Sequence, residues 1–143
     1  MSGLDDIHVS VTDIDESDGR LRENVHAILH EIETLLDALL QTGETSAIDI
    51  RSLPLLPGDY DALASALGTG EISAEFDGGS GPTVVVETGT SGVWWVTHYN
   101  DENEIAAEFI EVTRIPEILM SQDDDIQDSL KGLRERLQNE RSH

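Results

Sequence analysis

Apolar residues recur along the chain with two different periods, one typical of helices and one typical of strands. From Leu21 to Gln41 they recur every three or four residues, and Gly43 follows the last turn. The stripe consists of Leu21, Val25, Ile28, Ile32, Leu35 and Leu39. It predicts a long amphipathic helix with two alternative settings. The helix either packs on the domain's own sheet or, because the period is close to a heptad, forms a homodimer through helix 21–41.

Between residues 71 and 112 the period changes to two, which is the period of a half-buried strand. Four strands are predicted, at 71–76, 83–88, 93–99 and 104–112, and an upstream segment at 48–51 is a candidate fifth strand. The connections are short, so strands adjacent in sequence are expected to pair. In the last strand apolar residues fall on both faces. This indicates either that both faces are covered or that a bulge shifts the register.

These patterns predict an α+β fold, with an antiparallel four- to five-stranded meander sheet, helices packed on it, and N- and C-terminal helices. A further helix is expected from about residue 58 to Leu67, with Asp59 as its N-cap or first-turn acid. The C-terminal helix, beginning near Ile126, either docks on the sheet or extends away from it. Residues 1–19 are predicted to be an acidic, largely disordered arm, and residues 20–143 a single domain.

The charge of the chain excludes several classes of partner. It has 30 acidic and 8 basic residues, for a formal net charge of -22. Nucleic acid and anionic membrane surfaces are therefore not expected partners, because both are bound by clustered Lys and Arg. The 143 residues include no cysteine, which excludes disulfides and thiolate metal ligands. With no secretion signal and no apolar run long enough to span a bilayer, the cytoplasm is the expected location.

Few side chains have the spacing that catalysis or metal binding requires. His26 and His30 are four residues apart on the predicted helix and are weak candidate metal ligands, although solvated histidines fit the same pattern. Gly68 and Gly70 indicate a helix stop and a strand entry rather than a phosphate-binding loop, since no Lys follows them and no helix begins there. No catalytic constellation and no cofactor motif is present, so the chain is predicted not to be an enzyme.

Trp94 and Trp95 are adjacent in the third predicted strand, so their side chains are expected on opposite faces of the sheet. One is expected to enter the core. The other is either covered by a second layer or exposed as an anchor for a partner.

Three stretches occur in a characteristic order: LGTGEISAEF from Leu67, VVVETGTSGVWWVTHYN from Val84 and IAAEFIEVTRIP from Ile105. Together they resemble the C-terminal conserved region of the HupH/HyaF hydrogenase expression proteins, and the upstream IDIRSLPLLPGDYDAL fits the same family. The resemblance covers about residues 48–120 and leaves out the N-terminal helix and the acidic arm.

The resemblance implies an accessory, non-enzymatic role in maturation of [NiFe] hydrogenases. The implied partner is a hydrogenase subunit precursor, with the small subunit favoured, or another maturation protein. An acidic surface would attract the basic export signal of such a precursor. The expected contact residues lie around the central hairpin: Trp95, His98, Glu87 and Glu111. An alternative function for the same pathway is a nickel carrier that uses His26, His30 and carboxylates.

Overall fold

The computed structural model describes residues 15–141, with side chains from residue 23 onward. Eight main elements occur in this part of the chain: α1 (Asp15–Thr42), β1 (Ser46–Asp49), α2 (Pro57–Leu67), β2 (Thr69–Asp77), β3 (Pro82–Thr88), β4 (Val93–Tyr99), β5 (Ile105–Val112) and α3 (Asp123–Arg141). Two short 3₁₀ helices, Ile50–Ser52 and Glu117–Leu119, follow β1 and β5.

The five strands form one antiparallel sheet in the order β1-β5-β4-β3-β2. The four later strands form the predicted meander, and β1 adds at the outer side of β5. The predicted α+β fold is therefore confirmed. The hairpins are local and follow from short turns, whereas the pairing of β1 with β5 joins segments that are distant in sequence.

Helix α1 packs on one face of the sheet through the apolar stripe read from the sequence. Its buried members are Val25, Ile28, Ile32 and Leu39. They share a cluster with α2 and with strand residues such as Ile110 and Val112, so the first of the two predicted settings is observed. A homodimer through helix 21–41 would have to use the other side of α1, where Leu40 is 73% exposed. The helix begins at Asp15 and includes the end of the predicted acidic arm; residues 1–14 lie outside the described residues.

Asp59 fixes the start of α2 and ties it to α1. Its side chain is 0% exposed. Its Oδ2 atom accepts hydrogen bonds from the Leu56 backbone N–H at 2.9 Å and from the Asn24 side-chain amide at 2.9 Å. The first contact satisfies a donor that a helix start leaves without a partner, and the second joins the two helices. The sequence-based role of Asp59 as a first-turn acid is confirmed.

The register of β5 explains why apolar residues occupy both of its faces. His98 pairs with Ala107 but Tyr99 pairs with Ile105, so Ala106 is an extra residue in the last strand. This bulge turns Ile105 away from the face shared by Ala107 and Phe109. The other alternative also holds, since Ile110 is buried on the helix side and Phe109 is half-buried on the opposite side.

Two apolar clusters lie on opposite faces of the sheet. The larger one is between the sheet and helices α1 and α2. The smaller one contains Val85, Trp94 and Val96, with Phe76 and Leu119 packed against it. Helix α3 joins neither cluster, and none of its residues is buried. Of the two predicted settings for the C-terminal helix, the structure has the one in which its apolar stripe is not docked on the sheet.

Candidate functional site

The face of the sheet turned away from α1 and α2 carries three of the four residues predicted to contact a partner. Glu87 of β3, Trp94 of β4 and Glu111 of β5 are cross-strand neighbours in one row. His98 lies four residues beyond Trp94 on the same strand and therefore on the same face. The structure thus brings Glu87, Glu111 and His98 together on one surface.

Trp95, the fourth predicted contact residue, lies on the opposite face. It is partly buried against the helix-side cluster. Its indole N–H donates to Glu108 Oε2 at 2.7 Å, and the same oxygen accepts from the Thr97 hydroxyl at 3.3 Å. The polar group of Trp95 is thus already bonded within the chain. The tryptophan that shares a face with Glu87 and Glu111 is Trp94.

Trp94 packs into the apolar cluster on this face and does not project from it. It is only 4% exposed, and its indole N–H donates to the Thr113 backbone oxygen at 3.1 Å. Alternation along β4 predicted that the two indoles lie on opposite faces, and this is confirmed. Neither indole is a fully exposed anchor, because Trp94 is buried and Trp95 is half-covered by the helix layer.

Glu111 lines a groove of about 650 Å³. The groove runs between the edge strand β1 and the segment that follows β5. Its apolar lining includes Leu39, Ala47, Ile115, Ile118 and Met120. Glu117 adds a second carboxylate, and Arg114 is the one basic residue among the described residues of the lining. The outer side of β1 pairs with no other strand in the described part of the chain. The groove therefore combines an open strand edge, apolar walls, two acidic residues and one basic residue.

Burial raises the pKa of the Glu111 carboxyl above its usual value. The neighbouring charge of His98 lowers this pKa and the charge of Glu117 raises it, both less strongly than burial does. A carboxylate with a raised pKa is less stable in its charged form than it would be in water. A cation placed in the groove would relieve that penalty.

His98 is held in position by two neighbours on the same face. Its Nδ1 atom lies 2.9 Å from the Thr83 hydroxyl. Its ring makes an edge-to-face contact with Phe109, with the ring centroids 5.9 Å apart. Because the ring is fixed and partly exposed, it can present its other nitrogen to a partner without further ordering.

Glu87 has a structural role beside its position on this face. Its Oε1 atom accepts a hydrogen bond from the Glu71 backbone N–H at 3.1 Å, which joins β3 to β2. The next residue, Thr88, donates its hydroxyl to the Val93 carbonyl at 2.7 Å. Thr90 donates to the Leu67 carbonyl at 3.0 Å. Residues of the LGTGE and ETGTSG stretches therefore bind one another.

The predicted helix stop and strand entry within the LGTGE stretch are confirmed. Gly68 caps α2 with a φ of +81°, and its N–H donates to the Ala64 carbonyl at 3.0 Å. Thr69 then begins β2. No anion-binding helix start is present at this place, so the glycines serve the turn.

His26 and His30 are exposed on α1, with their rings in edge-to-face contact. Their Nε2 atoms are 3.2 Å apart. Glu33 Oε1 lies 3.8 Å from the other nitrogen of His30. Within the described residues no group of three or more His, Cys, Asp or Glu side chains is arranged to hold a metal ion. The histidine pair alone supplies two ligands.

Sequence reasoning missed the groove beside β1. Its residues come from the end of α1, from β1, from β5 and from the Glu117–Leu119 turn. No local motif joins these segments. The one signal in the sequence is the apolar pair Ile115 and Ile118 around Pro116 and Glu117, and the structure shows that both side chains are exposed.

None of the described helices has both the length and the apolar character needed to cross a membrane.

Comparison with known proteins identifies relatives over most of this chain. The family model of the HupH hydrogenase expression protein, C-terminal conserved region, matches residues 22–139. The match includes α1 from residue 22 and nearly all of α3. It therefore extends beyond the range 48–120 expected from the motifs, and the expectation that the N-terminal helix falls outside the resemblance was wrong.

Curated proteins of the same kind are similar to the chain. The hydrogenase expression/formation protein HoxQ of Azotobacter vinelandii is 33% identical over 106 residues, which is 71% of this chain and 37% of that protein. The hydrogenase expression/formation protein HupH of Rhizobium leguminosarum bv. viciae is 31% identical over 112 residues, which is 78% of this chain and 39% of that protein. The chain thus spans less than two fifths of the length of these relatives.

A solved structure shares the fold. The hydrogenase expression protein HupH from Thiobacillus denitrificans ATCC 25259 superposes with a TM-score of 0.74 at 38% sequence identity. The superposition covers 81% of this chain and 96% of that one.

Proposed function

The chain belongs to the HupH hydrogenase expression protein family, and from this premise we propose that it acts in maturation of [NiFe] hydrogenases. Its role is that of an accessory protein that binds a hydrogenase subunit precursor while that subunit is completed. The small-subunit precursor is the favoured partner. It does so in the cytoplasm and without catalysing a reaction of its own. The relatives' names as hydrogenase expression or formation proteins support the pathway.

The observation that carries the proposal is the groove lined by Glu111, Glu117 and apolar side chains beside the free edge of β1. An open strand edge can accept an extended peptide by main-chain hydrogen bonds, and neighbouring pockets then select its side chains. The walls at Leu39, Ile118 and Met120 suit apolar side chains of such a peptide. The two acids outnumber Arg114, the one basic residue of the described lining, so the groove favours a basic side chain over an acidic one.

The charge of the chain supports the same kind of partner. A net charge of -22 steers a basic segment toward the protein over distances longer than a direct contact. The raised pKa of Glu111 indicates that burial destabilises its charged form, so a cation bound beside it would stabilise the carboxylate. A precursor segment that combines Arg or Lys with apolar residues fits both features.

A binding measurement between the full chain and a purified small-subunit precursor tests this function. The variant Glu111→Gln/Glu117→Gln removes the two groove acids, and we expect it to weaken binding about tenfold. The control is Asp101→Asn/Glu102→Gln, which removes two acids from the exposed β4–β5 turn. Because both variants lose the same net charge, only a contact in the groove separates their affinities.

Salt provides a second readout of the same interaction. Affinity for the precursor should fall as ionic strength rises, because screening weakens charge pairs that are partly open to water. Two results would contradict the proposal: absence of binding by the wild-type chain, or equal affinities of the groove and turn variants.

A second candidate function is a nickel carrier, which the histidine geometry favours. Two nitrogen ligands of a tetrahedral ion at about 2.0–2.1 Å would lie about 3.3 Å apart, close to the 3.2 Å between His26 and His30 Nε2. Titration calorimetry with Ni²⁺ and Zn²⁺ at neutral pH should then show stoichiometric micromolar binding that His30→Ala abolishes. The matched control is His98→Ala, which removes a histidine on the sheet. Weak binding, or binding lost equally in both variants, would exclude the carrier.

A further inference from the structure

Helix α3 carries an apolar stripe that the rest of the described chain leaves uncovered. The stripe consists of Ile126, Leu130, Leu133 and Leu137, at spacings of four, three and four residues. Their exposed fractions are 51%, 45%, 47% and 51%. This spacing is the a/d pattern of a coiled-coil seam, and such a seam is stable when a second helix covers it.

The two apolar clusters of the sheet are covered without α3. On the open sheet face Val85 and Val96 are 0% exposed, covered from their own side by residues that include Trp94 and Leu119. On the helix side the sheet is covered by α1 and α2. The stripe on α3 is therefore needed by neither cluster, and the other apolar side chains that stay open in the described domain include those of the groove beside β1.

The four apolar positions of α3 are symmetric about the point midway between Lys131 and Gly132. We propose that α3 pairs antiparallel with α3 of a second copy of this chain. In this arrangement Ile126 of each copy packs on Leu137 of the other, and Leu130 packs on Leu133. A two-fold axis passes between the helices, so each stripe covers the other completely.

Charge along α3 selects the antiparallel orientation. Its first half carries Asp123, Asp124, Asp125 and Asp128 with no basic residue. Its second half carries Lys131, Arg134, Arg136 and Arg141, with Glu135 and Glu140 as its acids. Antiparallel pairing sets the acidic half of one copy against the basic half of the other, whereas parallel pairing sets acid against acid. Antiparallel helices also oppose their macrodipoles favourably.

One specific ion pair follows from the helical angles. At 100° per residue, Asp123 and Arg141 both lie about 50° from the centre of the stripe, on the same flank. In an antiparallel pair each flank meets the same flank of the second helix. Asp123 of one copy therefore lies near Arg141 of the other. Because each copy contributes only four apolar side chains, the association is expected to depend on protein concentration.

Sedimentation of the full chain over a range of concentrations up to millimolar tests the pairing. The wild type should change from monomer to dimer. Leu130→Asp/Leu133→Asp should weaken the dimer by at least about a hundredfold, because it removes four apolar side chains from the seam. Both side chains are exposed in the monomer, so circular dichroism and the melting curve should confirm an unchanged fold.

The matched control for this variant is Leu40→Asp on α1. Leu40 is 73% exposed and lies outside the proposed seam, so its replacement should leave the dimer intact. A dimer that Leu40→Asp disrupts and that Leu130→Asp/Leu133→Asp spares would overturn the proposal and place the interface on α1. A chain that stays monomeric at every concentration would overturn it as well.

Charge exchange tests the orientation. Arg141→Asp should weaken the dimer about tenfold, and Asp123→Arg/Arg141→Asp should restore it, because the exchanged pair is again complementary in the antiparallel arrangement. Failure of the exchange to restore dimerisation would contradict the orientation.

Distance measurement gives an independent check of the orientation. The chain has no cysteine, so a spin label at Asp124→Cys or Lys131→Cys has a single site per copy. In the antiparallel pair the two labels at position 124 are offset along the axis by about 22 Å and those at 131 by about 2 Å. Equal label distances at the two positions would indicate a parallel pair and overturn the proposal.

Discussion

Replacing Trp94 by alanine should lower the free energy of unfolding by about 3–5 kcal/mol. The side chain is 4% exposed and belongs to the smaller cluster with Val85 and Val96, against which Leu119 packs. Its removal leaves a cavity and takes the indole donor from the Thr113 carbonyl. Urea denaturation followed by far-ultraviolet circular dichroism measures the loss without relying on tryptophan fluorescence.

Trp95→Ala is the matched control for this prediction. Trp95 is partly exposed and its N–H is bonded to Glu108 at the sheet surface, so its removal should cost about half as much. Trp94→Phe separates the hydrogen bond from the packing and should cost about 1–3 kcal/mol. Equal losses for Trp94→Ala and Trp95→Ala would contradict the assignment of Trp94 as the more deeply buried of the two indoles.

The two tryptophans show what the sequence could and could not predict about this sheet. Period-two alternation required Trp94 and Trp95 to lie on opposite faces, and they do. Alternation does not say which face the helices cover. That choice depends on α1, whose stripe packs against Ile110 and Val112 of a distant strand. The partner contact was therefore assigned to Trp95, although Trp94 lies beside Glu87 and Glu111.

The helices and hairpins were predictable because they rest on local physics. The stripe of α1, the capping acid Asp59 and the short turns of the meander each act within a few residues. The groove was not predictable, because Leu39, Glu111 and Ile118 meet only after β1 has paired with β5. Only the structure therefore shows the groove. Its acids, Glu111 and Glu117, are the first residues to replace in a binding experiment.

The motifs that carry the family resemblance are largely structural in this chain. Glu87 binds the Glu71 N–H, and Gly68 ends α2. Thr88 and Thr90 fix the turn into β4. A pattern built of such contacts identifies the fold, and the contact of Glu87 with a partner stays a prediction beside its structural role. Loss of hydrogenase maturation on changing them would not separate a failure to bind from a failure to fold.

Gly70→Ala should destabilise the protein by about 3 kcal/mol, because β2 and β3 approach too closely at this position for a side chain. A Cβ atom at Gly70 would lie 2.6 Å from the Thr88 carbonyl oxygen and 2.8 Å from Glu87 Cγ. The first of these atoms is backbone and cannot turn aside. The clash can therefore be relieved only if β2 and β3 move apart. That movement would lengthen the hydrogen bond between the Glu71 N–H and the Glu87 side chain.

Gly132→Ala is the matched control, since nothing lies within 4 Å of a Cβ atom at this position. Gly132 is inside α3, where alanine is the better helix former, so the change should cost no stability and could add up to about 1 kcal/mol. Gly70→Ala/Glu87→Ala removes the side-chain contact and leaves the backbone contact. If the double variant regains only part of the loss, the strand approach at Thr88 is the main cause; full recovery would assign the cost to the Glu87 side chain instead.

The comparison of Gly70→Ala with the groove variants separates folding from binding in this family. A chain carrying Gly70→Ala should unfold at lower urea concentration but, where it remains folded, should bind the precursor with wild-type affinity. Glu111→Gln/Glu117→Gln should show the reverse, with stability kept and affinity reduced. If Gly70→Ala lowered the affinity of the folded protein directly, then the junction of β2 and β3 would itself belong to the binding surface, and the groove beside β1 could not be the whole of it.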